Sequence, residues 1–283
     1  MFAFGVKRGG FDQDMKKLFY DLLRPVYKPI LKPLRRRLGR VNYYEHPEME
    51  LPKVYDAIQL EVERRLHHYL HCDPNDIRRI AIVGANKGDE IERLALSYPN
   101  AAYDCFEPSP RFLPELRRRW SANPKVTIHD VALAQTKGKA RFYELSMPGN
   151  GSLLEPDIER WSSFTEWKDK STEFFEVETR QMDEYYQTNS PDLLWMDVQG
   201  GEMSVLLGGN ETLKKTKAIF LEMTLVQGPY KGCALFSELN DLITSHGFTC
   251  CGQGIDPWNF SGVALWIKDI ENKICKEHPD RKR

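Results

Sequence analysis

Arg79-Ile80-Ala81-Ile82-Val83-Gly84-Ala85-Asn86-Lys87-Gly88 decides the fold. Its first five residues form a short apolar strand, and the glycine-bounded turn opens a helix that runs from about Asp89 to Tyr98. The same alternation repeats downstream. A second strand, Ala102–Phe106, ends in Glu107-Pro108-Ser109-Pro110. The helix after it, Arg111–Trp120, sets Phe112, Leu116 and Trp120 on one side. Val126–Leu133 reads as a third strand, and Gly138-Lys139 turns into Ala140–Leu145 as a hairpin. Residues 146–172 read as an irregular loop. Phe174–Thr179 is a strand, Met182–Tyr186 a short helix, Leu193–Val198 a buried strand and Glu202 the start of another helix. Ala218–Met223, the helix Ala234–His246, and the strands Phe248–Cys250 and Val263–Ile267 complete the set. Strands alternating with helices of this length predict an α/β domain, a mostly parallel sheet covered on both faces.

Composition narrows the class. The 283 residues, 41% hydrophobic, suffice for one large core without disulfide or metal staples. Forty Lys and Arg against 41 Asp and Glu leave a net charge of -1, which argues against a protein built mainly to grip nucleic acid. Six cysteines without a C-x-x-C pair, no long apolar span and no apolar centre in Met1–Gly10 predict a cytoplasmic protein.

The charge is unevenly spread. Residues 1–40 carry a balance of +8, with eleven Lys and Arg against three Asp. Apolar residues such as Met15, Leu18, Phe19, Leu22 and Leu23 recur there at helical spacing, while Pro25, Pro29 and Pro33 break the pattern. Residues 1–50 therefore read as a basic amphipathic extension that packs on the main domain or on a second subunit as a homodimer. An alternative is peripheral contact with an anionic membrane. Residues 51–268 read as the main domain and 269–283 as a charged tail. His67, His68 and His71 on the helix Lys53–Cys72 have no cysteine or carboxylate at ligand spacing, so they read as a solvated face.

In an open α/β sheet the ligand sits beyond the carboxyl ends of the strands. Gly84, Ala85, Asn86 and Gly88 occupy the first such turn. Glu107 ends the second strand, 23 residues beyond Gly84, where a carboxylate can accept hydrogen bonds from both ribose hydroxyls. The turn is not G-x-G-x-x-G and the chain has no G-x-x-x-x-G-K-[ST], so dinucleotides and nucleoside triphosphates are disfavoured, leaving S-adenosylmethionine. Asp197 interrupts the apolar run Leu193–Val198, so it either caps the helix near Gly201 or serves the substrate and the methionine end of the cofactor.

Five ordered blocks carry a resemblance: I-V-G-A-N-K-G (82–88), F-E-P-S-P (106–110), V-A-L-A-Q-T-K-G-K-A-R-F-Y (131–143), G-S-L-L (151–154) and D-L-L-W-M-D-V-Q-G-G-E-M-S-V-L-L-G-G (192–209). With L-E-M near 222 and P-Y-K-G at 229–232, the chain resembles the FkbM-type family of S-adenosylmethionine-dependent methyltransferases over about residues 78–267. The resemblance implies a Rossmann-like seven-stranded class I methyltransferase sheet and O-methylation of a saccharide, glycan or related natural product. It implies Gly84, Asn86 and Gly88 around the amino-acid part of the cofactor, Glu107 on the ribose and Asp130 on the adenine. Three positions depart from the family pattern: Ile82 replaces an aspartate, Gln199 a glutamate and Trp195 a frequent lysine. These departures keep a non-catalytic cofactor-binding or regulatory domain as the alternative.

Methyl transfer to a hydroxyl requires positioning of two reactants and removal of one proton. Asp197, then Glu222, then His129 are the residues expected in that role, although His129 beside Asp130 also reads as a strand-end residue. The loop at Asn150-Gly151-Ser152, with Trp161 and Trp167, is expected to wall the acceptor. No metal is expected, though Asp197, Glu202 and Glu222 are hard oxygen ligands of the kind Mg²⁺ takes.

Overall fold

The computed structural model describes residues 76–146, 148–159, 171–228, 230–256 and 261–268. The basic arm, the histidine-bearing segment, Trp161, Trp167 and the tail lie outside the described residues. Strand β1 (Arg79–Val83) runs parallel to β2 (Ala102–Phe106) on one side and β8 (Leu193–Met196) on the other, with Ile82 in register with Cys105 and Trp195. Strands covered on both faces carry continuous apolar runs, and here alternate residues serve opposite cores. Ile80, Ile82, Trp195 and Phe220 pack against Ile91, Leu94 and Leu116. Ala81, Val83, Leu194, Met196 and Ile219 pack against Leu206, Leu213, Leu239 and Ile243.

The full order is β10 (Phe248–Asp256), β11 (Ser261–Lys268), β9 (Ala218–Thr224), β8, β1, β2 and β3 (Val126–His129). Strand β11 is antiparallel to both of its neighbours, and the other six strands share one direction. Helices α1 (Asp89–Ser97) and α2 (Leu113–Trp120) serve the first core, while α3 (Glu202–Leu207), α4 (Asn210–Lys215) and α5 (Phe236–Ser245) serve the second. This is the seven-stranded Rossmann-like sheet expected. Strand order reverses between β1 and β8, where such folds open a crevice.

Two expectations are corrected. Val126–Leu133 is not one strand: β3 ends at His129, and β4 (Ala132–Leu133) leaves the main sheet to pair with β7 (Thr172–Arg180), Ala132 opposite Thr179. Nor does β5 (Gly138–Leu145) form a hairpin with the preceding strand. It pairs with β7, Ala140 opposite Val177, and with β6 (Gly151–Ser152), Tyr143 opposite Ser152. The four strands form a second sheet, ordered β4-β7-β5-β6, whose small core joins Ala132, Phe142 and Val177. Burial of those three side chains, far apart in sequence, outweighs the local turn signal at Gly138.

A buried polar link ties this sheet to the main one. Glu144 on β5 accepts the Ser109 hydroxyl hydrogen and pairs with the Arg111 Nε at 2.8 Å, and Arg111 also reaches Glu173 on β7 at 2.6 Å. The Ser109 hydroxyl accepts the Arg111 N–H, a side-chain turn that delays α2 to Leu113 instead of the expected Arg111.

Candidate functional site

At the β1/β8 reversal lies a cleft of about 270 Å³. Gly84 and Asn86 after β1, Glu107 after β2 and Asp197 after β8 line its floor. Phe106, Pro108, Phe112 and Val131 form one wall, while Phe142, Gly149, Gly151 and Leu153 bring in the second sheet.

The turn is fixed by steric necessity. Gly84 has φ +84°, and a Cβ there would lie 1.9 Å from the Asp197 carbonyl oxygen, so the two strand-end loops touch only because residue 84 has no side chain. The N–H groups of Gly84 and Ala85 donate to the Phe106 carbonyl at 3.0 and 3.1 Å, which leaves Ala85 fully buried beneath the turn. Asn86 takes a left-handed φ of 48°. Gly88 does not line the cleft. It is the left-handed N-cap of α1, and a Cβ there would collide with the Trp120 indole at 2.5 Å.

Glu107 is 4% exposed. One of its oxygens accepts the Asn86 N–H at 2.7 Å and the other the Ser109 N–H at 2.8 Å. Burial pushes its carboxyl up to about 7, against the pull of those two donors. A carboxylate oxygen accepts two hydrogen bonds, so each keeps capacity for one more donor.

Asp197 stands exposed at the mouth, with its Oδ1 accepting the Gln199 amide at 2.7 Å. The same amide nitrogen donates to Glu222 on β9 at 2.8 Å. Gln199, at φ 53°, thus bridges two carboxylates, and its own carbonyl oxygen accepts the Ser152 hydroxyl at 2.9 Å. Burial, then Asp197 and Glu202, hold Glu222 well above the usual carboxylate range. Asp197 does not cap α3. Glu202 turns back to accept the Val198 and Gly200 N–H groups at 3.2 and 3.3 Å, and burial lifts it to about 7.

Two expected residues stand apart from this group. His129 stacks on Phe106 at 4.5 Å, with its Nε2 3.8 Å from the buried Asp104, and does not line the cleft. Asp130 is half exposed and pairs with Arg117 at 2.9 Å, also off the lining. Sequence reasoning passed over Glu90 on the first turn of α1, and Phe112, Phe142 and Leu153 in the walls. Glu90, two residues past the turn, was within reach of helix geometry; Phe142 and Leu153 enter through the second sheet, which the sequence pattern does not announce. Two of the three departures sit in the core. Ile82 is fully buried, and Trp195 stacks on Phe220 at 3.8 Å.

Residues 83–250 match the family profile described as the Methyltransferase FkbM domain. The chain belongs to the FkbM methyltransferase family. It is accordingly an S-adenosylmethionine-dependent methyltransferase. A curated relative, 2-O-methyltransferase NoeI of Sinorhizobium fredii, is 32% identical over 177 residues, covering 58% of this chain and 70% of that one. Among solved structures, the fibrillarin of Aeropyrum pernix with bound S-adenosyl-L-methionine aligns at TM-score 0.41 and 10% identity over 69% of each chain. Magnesium protoporphyrin IX methyltransferase of Synechocystis aligns at 0.43 and 12%, over 92% of this chain and all of that one.

The cleft suits the cofactor chemically: Gly84 lets the two strand-end loops close against each other, and Glu107 is a buried acceptor pair with spare capacity for two hydroxyls.

Proposed function

We propose that this methyltransferase acts on a hydroxyl of a saccharide, glycan or related natural product. The observation that carries this reading is the Asp197–Gln199–Glu222 bridge at the cleft mouth, which holds a carboxylate beside the cleft and supports its use as acceptor of a hydroxyl proton. The printed name of the curated relative, a 2-O-methyltransferase, supports an oxygen acceptor.

S-adenosylmethionine, when bound, supplies the electrophilic methyl group. Glu107 accepts hydrogen bonds from the ribose hydroxyls, and the Gly84–Asn86 turn holds the amino-acid portion. Phe112, Pro108 and Val131 offer apolar surface to the adenine, while Asp130, paired with Arg117, is given no part. Asp197 receives the acceptor's proton. Its carboxylate is oriented by the Gln199 amide, which donates to it and to Glu222 without adding a charge. Burial, then the charges of Asp197 and Glu202, raise the Glu222 carboxyl behind it, which lessens the charge set beside Asp197. Phe142 and Leu153 present apolar faces to the C–H surface of a ring. His129 is packed on Phe106 and takes no proton in this scheme.

Methyl-tritiated S-adenosylmethionine, incubated with a panel of glycosides, amines and carboxylic acids, tests this reading. Base-stable label in a glycoside, lost in Asp197→Asn, is the expected result. Label confined to a base-labile ester or to an amine would overturn it.

A further inference from the structure

The donor brings a cation that the residues assigned so far do not meet. Its methionine portion ends in an ammonium group, which in a partly dehydrated cleft needs a carboxylate partner. Four acidic side chains line the cleft: Asp89, Glu90, Glu107 and Asp197. Asp89 is exposed and taken by Arg119. Glu107 is held by two backbone N–H groups, and Asp197 accepts the Gln199 amide. Glu90 remains. It sits on the first turn of α1, immediately beyond the Gly84–Gly88 turn, half-buried, with its own backbone N–H as donor to its carboxyl. The charged groups that face it are Asp89 and Arg93 on its own helix and Asp197 across the cleft. Burial first, and Asp197 after it, raise its carboxyl above the ordinary glutamate value, a cost that a cation bound beside it relieves.

We infer that Glu90 binds the ammonium group of the methyl donor. The inference concerns the donor end of the cleft and stands whatever the acceptor proves to be.

Three probes separate the contributions. S-adenosylmethionine carries both ammonium and sulfonium, S-adenosylhomocysteine the ammonium without the sulfonium, and 5′-methylthioadenosine neither. Calorimetry on the full chain should show Glu90→Gln weakening the first two alike, by about tenfold or more, with methylthioadenosine unchanged. Loss confined to S-adenosylmethionine would assign Glu90 to the sulfonium and overturn the inference. Equal loss of all three would make Glu90 a support of the turn, and no loss would remove it from the site; both also overturn the inference. If Glu90→Gln does not fold, Glu90→Asp keeps the charge but withdraws it by one methylene. That variant should weaken S-adenosylhomocysteine and spare methylthioadenosine, and equal retention of both would likewise overturn the inference.

Discussion

Glu107 joins two properties that usually exclude each other, near-complete burial and a carboxylate function. Its carboxyl titrates near 7, well above the 4.5 of a free side chain. Ribose hydroxyls donate best to the ionised form, so donor affinity should rise as pH increases through about 7 and level off above it. Calorimetry between pH 6 and 8 should show that rise, with Glu107→Gln flattening the profile. Glu107→Ala should weaken S-adenosylmethionine about 10- to 100-fold, because hydrogen bonds to a charged group contribute about 1.5–3 kcal/mol. Gly84 gives a sharper prediction. Gly84→Ala forces a Cβ into the Asp197 carbonyl at a left-handed φ, so donor binding should be lost and the melting temperature lowered, as a thermal shift with and without ligand would show.

At the scale of elements, the second sheet reaches the cleft through Glu144. Removal of that carboxylate leaves Ser109 without its acceptor and Arg111 with the exposed Glu173 and the Leu145 carbonyl. Glu144→Ala should therefore destabilise the fold by about 2 kcal/mol, read as a lower urea midpoint at unchanged slope. The elements also show what the amino-acid order discloses. Strands β1 and β2 fall on their predicted bounds because each is a short, mainly apolar segment cut off by a turn-forming residue, Gly84 or the Glu107-Pro108 pair, with Asp104 the charged exception in β2. The Gly84–Asn86 turn and Glu107 were legible for the same reason, since both stand at strand ends, where position follows from the local pattern. Phe142 and Leu153 were not legible, because they reach the cleft only after β5 pairs with β6 and β7, and pairing across residues 146–171 leaves no periodic trace. Gln199 stood out as a departure, but its bridging role depends on Glu222, 23 residues away on β9. The break after His129 was hidden for a further reason. Val131, Ala132 and Leu133 are as apolar as a continuing strand, and only their pairing with β7 shows that the chain has changed sheets.

For the whole molecule, three buried carboxyls dominate the response to pH. Glu107 and Glu202 titrate near 7 and Glu222 lies well above the usual range, whereas in the unfolded chain all three ionise near 4.5. Between those values the native state binds more protons than the unfolded one. Stability therefore falls as pH rises from about 5 through 7. Asp104 shifts the opposite way: the nearby His129, hydrogen bonds from Tyr186 and Arg79, and the charge of Arg79 hold it below its ordinary value despite its burial, so its contribution is lost in acid. The ligand-free protein should melt highest near pH 5–6 and several degrees lower at pH 8, and Glu202→Gln should reduce that difference. A melting temperature that rises steadily from pH 5 to 8 would contradict the assignment. Among the described residues no helix is long and apolar enough to cross a membrane.

The contact between Gly84 and the Asp197 carbonyl bears on how the protein is made. Translation delivers the Gly84 turn and the Glu107 strand early, but their missing wall, Asp197, follows 113 residues after the one and 90 after the other. A nascent chain halted after β7 holds β1, β2 and β3 without β8, and the groove that should close against Asp197 lies open along the β1 edge. With the donor held as proposed, its binding is a property the ribosome releases late, once the chain beyond Leu193 has emerged and inserted beside β1.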